Sequence, residues 1–223
     1  MVQSSGTAIP LPPSHWPKEL KYIQSCCFHS SVSVEARQFI RGTGSVATKN
    51  ANAKKSARNG VVAIRRIADD AHPANGQHGL FAMKKIPART HILDYIGELR
   101  AVFERQSSAQ SIHQSPHAGE LHCDDRPSSD YDLSLHRFQS GESIGIDAST
   151  TGNEARFIND YRGIQAKPNA LFTDYRTASG ELRMGIWSGN EEIKKGSEIL
   201  VSYGKSWWKE RAQAEQEPTE VER

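Results

Sequence analysis

The sequence predicts a mainly β fold of short strands joined by irregular connections, and three observations predict it. Short β-like runs recur along the chain, no helical stretch of ten to fifteen residues alternates with them, and the composition is polar for a compact globule, with 36% hydrophobic and 24% charged residues in 223. The runs are Val61-Val62-Ala63-Ile64, Gly79-Leu80-Phe81-Ala82, Ile92-Leu93-Asp94-Tyr95-Ile96, residues 131–135, Ile144-Gly145-Ile146, Ala170-Leu171-Phe172, residues 182–187 and Ile199-Leu200-Val201. Each is bounded by Gly, Pro, Asn or Asp, which supply turn geometry, and the lack of alternating helices argues against a βαβ sheet. Two short helices are expected ahead of the strands, over residues 18–24 and 34–41. Ser33 is placed to cap the second, and Glu35 sits in its first turn. A last helix is expected after Ser206 as N-cap, with Trp207 and Trp208 in its first turn, fading before Pro218.

The domain organisation follows from composition. Residues 1–59 read as a basic, loosely built extension, with a Pro-rich start at Ile9-Pro10-Leu11-Pro12-Pro13 and a Gly/Ser/Ala/Asn/Lys-rich stretch from 42 to 60. Residues 60–205 read as the folded domain, with a polar Ser/His/Gln/Asp/Pro insertion at about 106–129, and residues 206–223 as a helix and tail. The formal net charge of +2 is a cancellation between unlike segments. Residues 1–68 carry ten basic and two acidic side chains, residues 69–205 carry 15 and 19, and the last segment is acidic again. Three cysteines, Cys26, Cys27 and Cys123, neither build a disulfide framework nor complete a four-cysteine zinc site. No run approaches the ~18 apolar residues of a membrane span, and the start has no basic segment followed by an apolar one. The expected location is nuclear or cytoplasmic, with no membrane partner.

Several patterns imitate sites. Gly141-Glu142-Ser143-Ile144-Gly145 has the form of a hydrolase nucleophile elbow, but it leads into another strand and not into a helix, so an ordinary polar turn is the better reading. His113, His117, His122 and Cys123 cluster in the insertion at spacings that fit no standard metal site, and no metal is expected. Arg41-Gly42-Thr43-Gly44 lacks the strand and helix that a phosphate cradle needs. The basic leader is a candidate for contact with nucleic acid or an acidic protein surface, with a solvated arm as the plain alternative.

Three separated segments carry chemistry. The first is Gly79-Leu80-Phe81-Ala82 with Ile86-Pro87-Ala88-Arg89-Thr90 and Tyr95-Ile96-Gly97-Glu98. The second is Gly152-Asn153-Glu154-Ala155-Arg156-Phe157-Ile158-Asn159 with Pro168-Asn169-Ala170, and the third is Gly196-Ser197-Glu198-Ile199-Leu200-Val201-Ser202-Tyr203-Gly204. In this order and spacing they resemble the SET domain of protein-lysine methyltransferases, over about residues 61–204.

The resemblance implies a β-clip fold of small curved sheets in which the Asn159 and Tyr203 segments cross in a pseudoknot-like active site. It implies S-adenosyl-L-methionine as cofactor and, as partner, a lysine-bearing protein substrate, histones included; oligomeric state stays open. It matches Tyr203 to the family's catalytic tyrosine and Tyr131 to a tyrosine that lines the site. Cofactor binding falls by the same matching to His78, Gly79, Leu80, Arg156, Phe157, Asn159 and Asp160, with Trp207 or Trp208 placed to cover the adenine. Tyr95 and Val201 fall beside the substrate channel, and Val201 lies near where relatives set the number of methyl groups. For Tyr95 and Tyr131, packing in the β core is the competing reading, as is anchoring of the last helix for the two tryptophans. The chain departs from the family pattern at Gln77, where a Gly is usual, at Asp160-Tyr161, where a His-Ser/Cys pair is usual, and in lacking flanking zinc-binding cysteine clusters. These departures keep open the alternative of a catalytically inactive SET-like or chromatin-binding module.

Overall fold

Among the described residues ahead of Gly60 lie β1 (Lys21–Tyr22), β2 (Cys27–Phe28) and α1 (Val34–Arg41). The structure, a computed structural model, describes residues 11–42, 60–102, 129–204 and 207–208. Helix α1 forms as its sequence dictates. The Ser33 hydroxyl accepts from the Ala36 amide at 3.1 Å, Ala36 and Ile40 turn into the core, and Gly42, at φ 77°, closes the helix with its N–H on the Gln38 and Phe39 carbonyls. A side chain at Gly42 would strike the Gly180 carbonyl, so both the turn and the close approach require glycine here.

The segment 18–24 is not the expected helix. Lys21 and Tyr22 run parallel to Thr151 and Gly152, the Trp16 indole donates to the Leu20 carbonyl, and the Tyr22 hydroxyl bonds the Glu154 carboxylate. Pairing with a distant strand overrides a weak local helical pattern. The described part of the leader also belongs to the core: Val32, Ala36 and Ile40 join the buried cluster that contains Ile144, Ile146 and Ile186.

The remaining strands are β3 (Val62–Arg66), β4 (His78–Ala82), β5 (His91–Asp94), β6 (Glu98–Val102), β7 (Asp132–Arg137), β8 (Ser143–Asp147), β9 (Thr151–Gly152), β10 (Asn159–Asp160), β11 (Ala170–Arg176), β12 (Leu182–Ser188) and β13 (Leu200–Val201). Each expected run overlaps a strand, although Tyr95 and Ile96 lie beyond the end of β5. Ser143 opens strand β8 and does not stand in the turn itself, so the Gly141–Gly145 pattern leads into a strand and not into a helix. They form small sheets ordered β2-β6-β8-β7, β11-β12-β5 and β3-β4, with the parallel pairs β1-β9 and β10-β13. Ile64, Leu80, Ile86, Ile144, Ile146, Ile186, Ile193 and Ile199 fill the space between the sheets. The insertion with its His/Cys cluster lies outside the described residues except for its last member, Ser129. Most of the Gly/Ser-rich stretch after Gly42 also lies outside them, as do Ser206 and the end of the last helix.

Candidate active site

The site forms where β13 passes between two earlier segments. On one side β13 pairs with β10, in the register Asn159 with Leu200 and Asp160 with Val201. On the other, Asn169 stands in for a strand: its side-chain oxygen accepts from the Leu200 amide at 2.8 Å and its side-chain nitrogen donates to the Glu198 carbonyl at 2.8 Å. Just before β10, a single 3-10 turn, Glu154–Phe157, is capped by the Asn153 side chain on the Ala155 amide and ends at Ile158. Residues far apart in sequence are thereby set side by side, with Tyr203 at the exit of the crossing.

On one face of the crossing, Tyr95, Tyr131, Arg156, Ile158, Phe172 and Tyr203 line a narrow pocket, with Asp130, Asp132 and Trp207 also on its wall. The Tyr203 hydroxyl donates to the Ile158 carbonyl at 2.6 Å and the Tyr95 hydroxyl to the Tyr131 carbonyl at 2.9 Å. With their protons committed, both phenol oxygens are acceptors toward any further donor. Burial holds both phenols well above the ordinary tyrosine range; neighbouring Asp160 reinforces this for Tyr203, and nearby Tyr203 does so for Tyr95. The Arg156 guanidinium lies 4.1 Å from the Tyr131 ring centre, and its Nε donates to the Ala148 carbonyl at 2.9 Å. Phe172 meets Tyr95 edge to face at 5.8 Å, and Trp207 meets Tyr203 the same way at 4.8 Å.

The second cluster is built around Asn159. Its side-chain nitrogen donates to Glu198 Oε1 at 2.8 Å and to the His78 carbonyl at 3.4 Å. The His78 and Phe157 rings meet edge to face at 5.7 Å. Burial, with His15 and Arg66 nearby, holds the His78 imidazole below its usual range. Ile158 and Asn159 link the two clusters: the carbonyl of the first receives Tyr203, and the side chain of the second reaches His78 and Glu198.

Not every expected residue reaches the site with its side chain. Leu80 and Val201 are both 0% exposed and belong to the core, Leu80 accepting the Ile199 amide at its carbonyl. Asp160 ties the strand ends together instead of facing outward: it accepts from the Tyr203 amide at 2.8 Å and from the Arg162 amide and guanidinium at 2.9 Å each. Trp208 is turned to the Arg162 guanidinium, 5.4 Å away, and is 39% exposed, whereas Trp207 lies against Tyr203. Gly79 makes room for a protein group, since a Cβ there would lie 2.5 Å from Glu198 Oε1. Three residues of the site were not expected from the sequence: Phe172, Glu198, and His72, whose imidazole lies 2.9 Å from the Glu198 carboxylate. Phe172 stands in an expected strand and Glu198 inside a quoted motif, but nothing local marked either as part of the site.

A cavity of about 490 Å³ lies elsewhere, between residues 13–24 and β3. The narrow pocket at Tyr203 has the chemistry, and a family comparison bears on it. The SET-domain family model matches residues 77–204. The chain belongs to the SET-domain family. No curated protein sequence matches it. Among solved structures, a crystal structure of ATXR5 in complex with a mono-methylated histone H3.1 is similar over 84% of this chain and 82% of that one, with TM-score 0.53 and 17% identity, a likeness of fold. The polycomb repressive complex 2 of Chaetomium thermophilum is similar over 65% of this chain and 15% of that one, at 23% identity and TM-score 0.43. The SET-domain fold expected from the three motifs is therefore the fold of this chain. Among the described residues, no helix is long and apolar enough to cross a membrane.

Proposed function

We propose that this SET-domain chain is a protein-lysine N-methyltransferase that uses S-adenosyl-L-methionine, with a lysine of a histone or another protein as substrate. The observation that carries the reading is the juxtaposition at Ile158-Asn159, where a tyrosine-lined pocket and an asparagine-centred cluster share consecutive residues. The donor set suits the cofactor. Asn159 keeps an amide oxygen for an ammonium group, the His78 and Phe157 rings offer apolar surface, and Trp207 stands beside Tyr203. When bound, the cofactor supplies an electrophilic methyl group.

The chain's own residues prepare the amine. A lysine with an ordinary pKa of ~10.4 has to be neutral to attack, which near pH 7 costs roughly 4 to 5 kcal/mol. Three tyrosines and Phe172 strip water from the amine, and the Arg156 guanidinium on the pocket wall disfavours a second positive charge. The phenol oxygens of Tyr203 and Tyr95 accept the amine's hydrogens and hold its lone pair in line, so positioning is the main protein contribution. Asp130 and Asp132 on the wall add negative charge that favours the approach of a basic segment. With a histone as substrate, the chain would work in the nucleus.

Tyr203→Phe tests the reading. The variant is expected to lose at least about a hundredfold in methyl transfer, the scale of one positioned group, while calorimetry shows cofactor affinity within a few-fold of wild type. Undiminished transfer would remove Tyr203 from the mechanism.

A further inference from the structure

His72 stands in the turn between β3 and β4, outside the matched family segment, yet it is in contact with the asparagine cluster. Its Nδ1 accepts from the Ala74 amide at 3.0 Å. An imidazole nitrogen that accepts carries no hydrogen, so the ring is neutral and its one hydrogen sits on Nε2. That hydrogen points to Glu198 Oε2, 2.9 Å away, with the two side chains 9% and 8% exposed. Glu198 Oε1 in turn receives the Asn159 side-chain nitrogen at 2.8 Å.

The direction of every bond in this series is therefore fixed from one end. Ala74 N–H determines which nitrogen of His72 donates, and Glu198, with no hydrogen of its own, accepts from both sides. Both groups that Asn159 faces here, a carboxylate and the His78 carbonyl, are acceptors. The opposite amide orientation would set oxygen against oxygen twice, so the nitrogen faces inward and Oδ1 faces away. Among the described residues none donates to Oδ1.

We propose that His72 and Glu198 are positioning residues whose hydrogen-bond polarity presents Asn159 Oδ1 as the acceptor for the cofactor's ammonium group; this rests on the methyltransferase reading above. The position of Glu198 also bears on Gly79. A side chain there would press on the Phe81 ring and on the Glu198 oxygen that holds Asn159, so the glycine leaves this series of bonds its room.

Glu198→Gln keeps the shape but brings its own N–H₂, and it cannot accept from both His72 and Asn159 with one oxygen. While His72 donates, the glutamine amide turns its nitrogen to Asn159, which has to rotate and offer an N–H₂ to the ammonium. Calorimetric titration of the full chain with S-adenosylmethionine is expected to show about ten- to hundredfold weaker binding for Glu198→Gln. The double variant His72→Ala with Glu198→Gln frees the glutamine oxygen for Asn159 and is expected to recover most of that loss. A packing role alone would make the double variant no better than the single one. Binding by Glu198→Gln within twofold of wild type, or no recovery in the double variant, would overturn the proposal. A second measurement needs no cofactor: the ¹⁵N shifts of His72 in the wild-type chain at pH 7.5 are expected to show a neutral ring protonated on Nε2. A ring that is charged, or protonated on Nδ1, overturns the hydrogen-bond order whatever the titrations give. A wild-type chain that binds no cofactor contradicts the methyltransferase reading and the cofactor half of this one, and the ring shifts still decide the other half.

Discussion

Asp160 shows how a single residue changes meaning between sequence and structure. Read against its family it is a carboxylate where a histidine is usual, which puts cofactor binding in question. In the fold it holds the Tyr203 amide and the Arg162 guanidinium, joining the ends of β10 and β13. Asp160→Ala leaves that amide without its acceptor, and we expect a loss of about 1–3 kcal/mol in chemical denaturation, with methyl transfer falling because Tyr203 is no longer held. Unchanged stability would mean that water replaces the carboxylate fully. Tyr203 and Asn159 were legible in the sequence because each stands inside a motif of fixed spacing. His72 was not, because its partner Glu198 lies 126 residues away and no local pattern encodes that contact. Leu80 and Val201 were expected at the site because they stand inside the family motifs, but their side chains are fully buried in the core.

At the scale of elements, α1 is the clearest case of local encoding. Its cap, its acidic first turn, its buried Ala36 and Ile40 and its closing glycine are all short-range features. Ser33→Ala removes both the cap and a 3.0 Å hydrogen bond to Glu142, and is expected to cost about 0.5–2 kcal/mol, read as a lower denaturation midpoint with an unchanged slope. Strands β1, β9 and β10 are two residues long and exist only through partners far away, so no periodicity could reveal them. The sheet β11-β12-β5 carries a pH dependence. Burial alone would raise the Asp94 carboxyl, but hydrogen bonds from His91, Tyr175 and Arg183 outweigh it, and the pKa lies below the usual value. A carboxyl depressed in the folded state contributes stability above its unfolded pKa of about 3.9, and that stability is lost as pH falls through the folded value. Asp94→Asn is therefore expected to flatten the decline in denaturation midpoint below about pH 4. A decline as steep as in the wild type would assign acid sensitivity to other carboxylates.

The whole molecule is held together by contacts between the leader and the family segment. The composition of residues 1–59 suggests an appendage, because Pro, Gly, Ser and Lys are nearly as numerous there as apolar residues and the net charge is strongly basic. Its described part nevertheless contributes β1, β2 and α1, and Val32, Ala36 and Ile40 share one core with Ile186 and Ile199. A chain beginning at Gly60 is expected to lose cooperative thermal unfolding by circular dichroism. A sharp transition near the full-length temperature would show that the family segment folds alone. The charge division acquires a physical setting as well: the described part of the leader packs against a body whose candidate site carries Asp130 and Asp132 on its wall.

The central claim is that the tyrosine-lined pocket transfers a methyl group to lysine. Its most direct test is to incubate the chain with S-adenosylmethionine labelled in the methyl group and a whole-cell protein extract, hydrolyse the labelled protein and identify the modified amino acid. Label recovered as N-methyl-lysine with the wild-type chain, and absent with Tyr203→Phe, is the predicted result. No transfer by a wild-type chain that binds the cofactor, or label on an amino acid other than lysine, would contradict it.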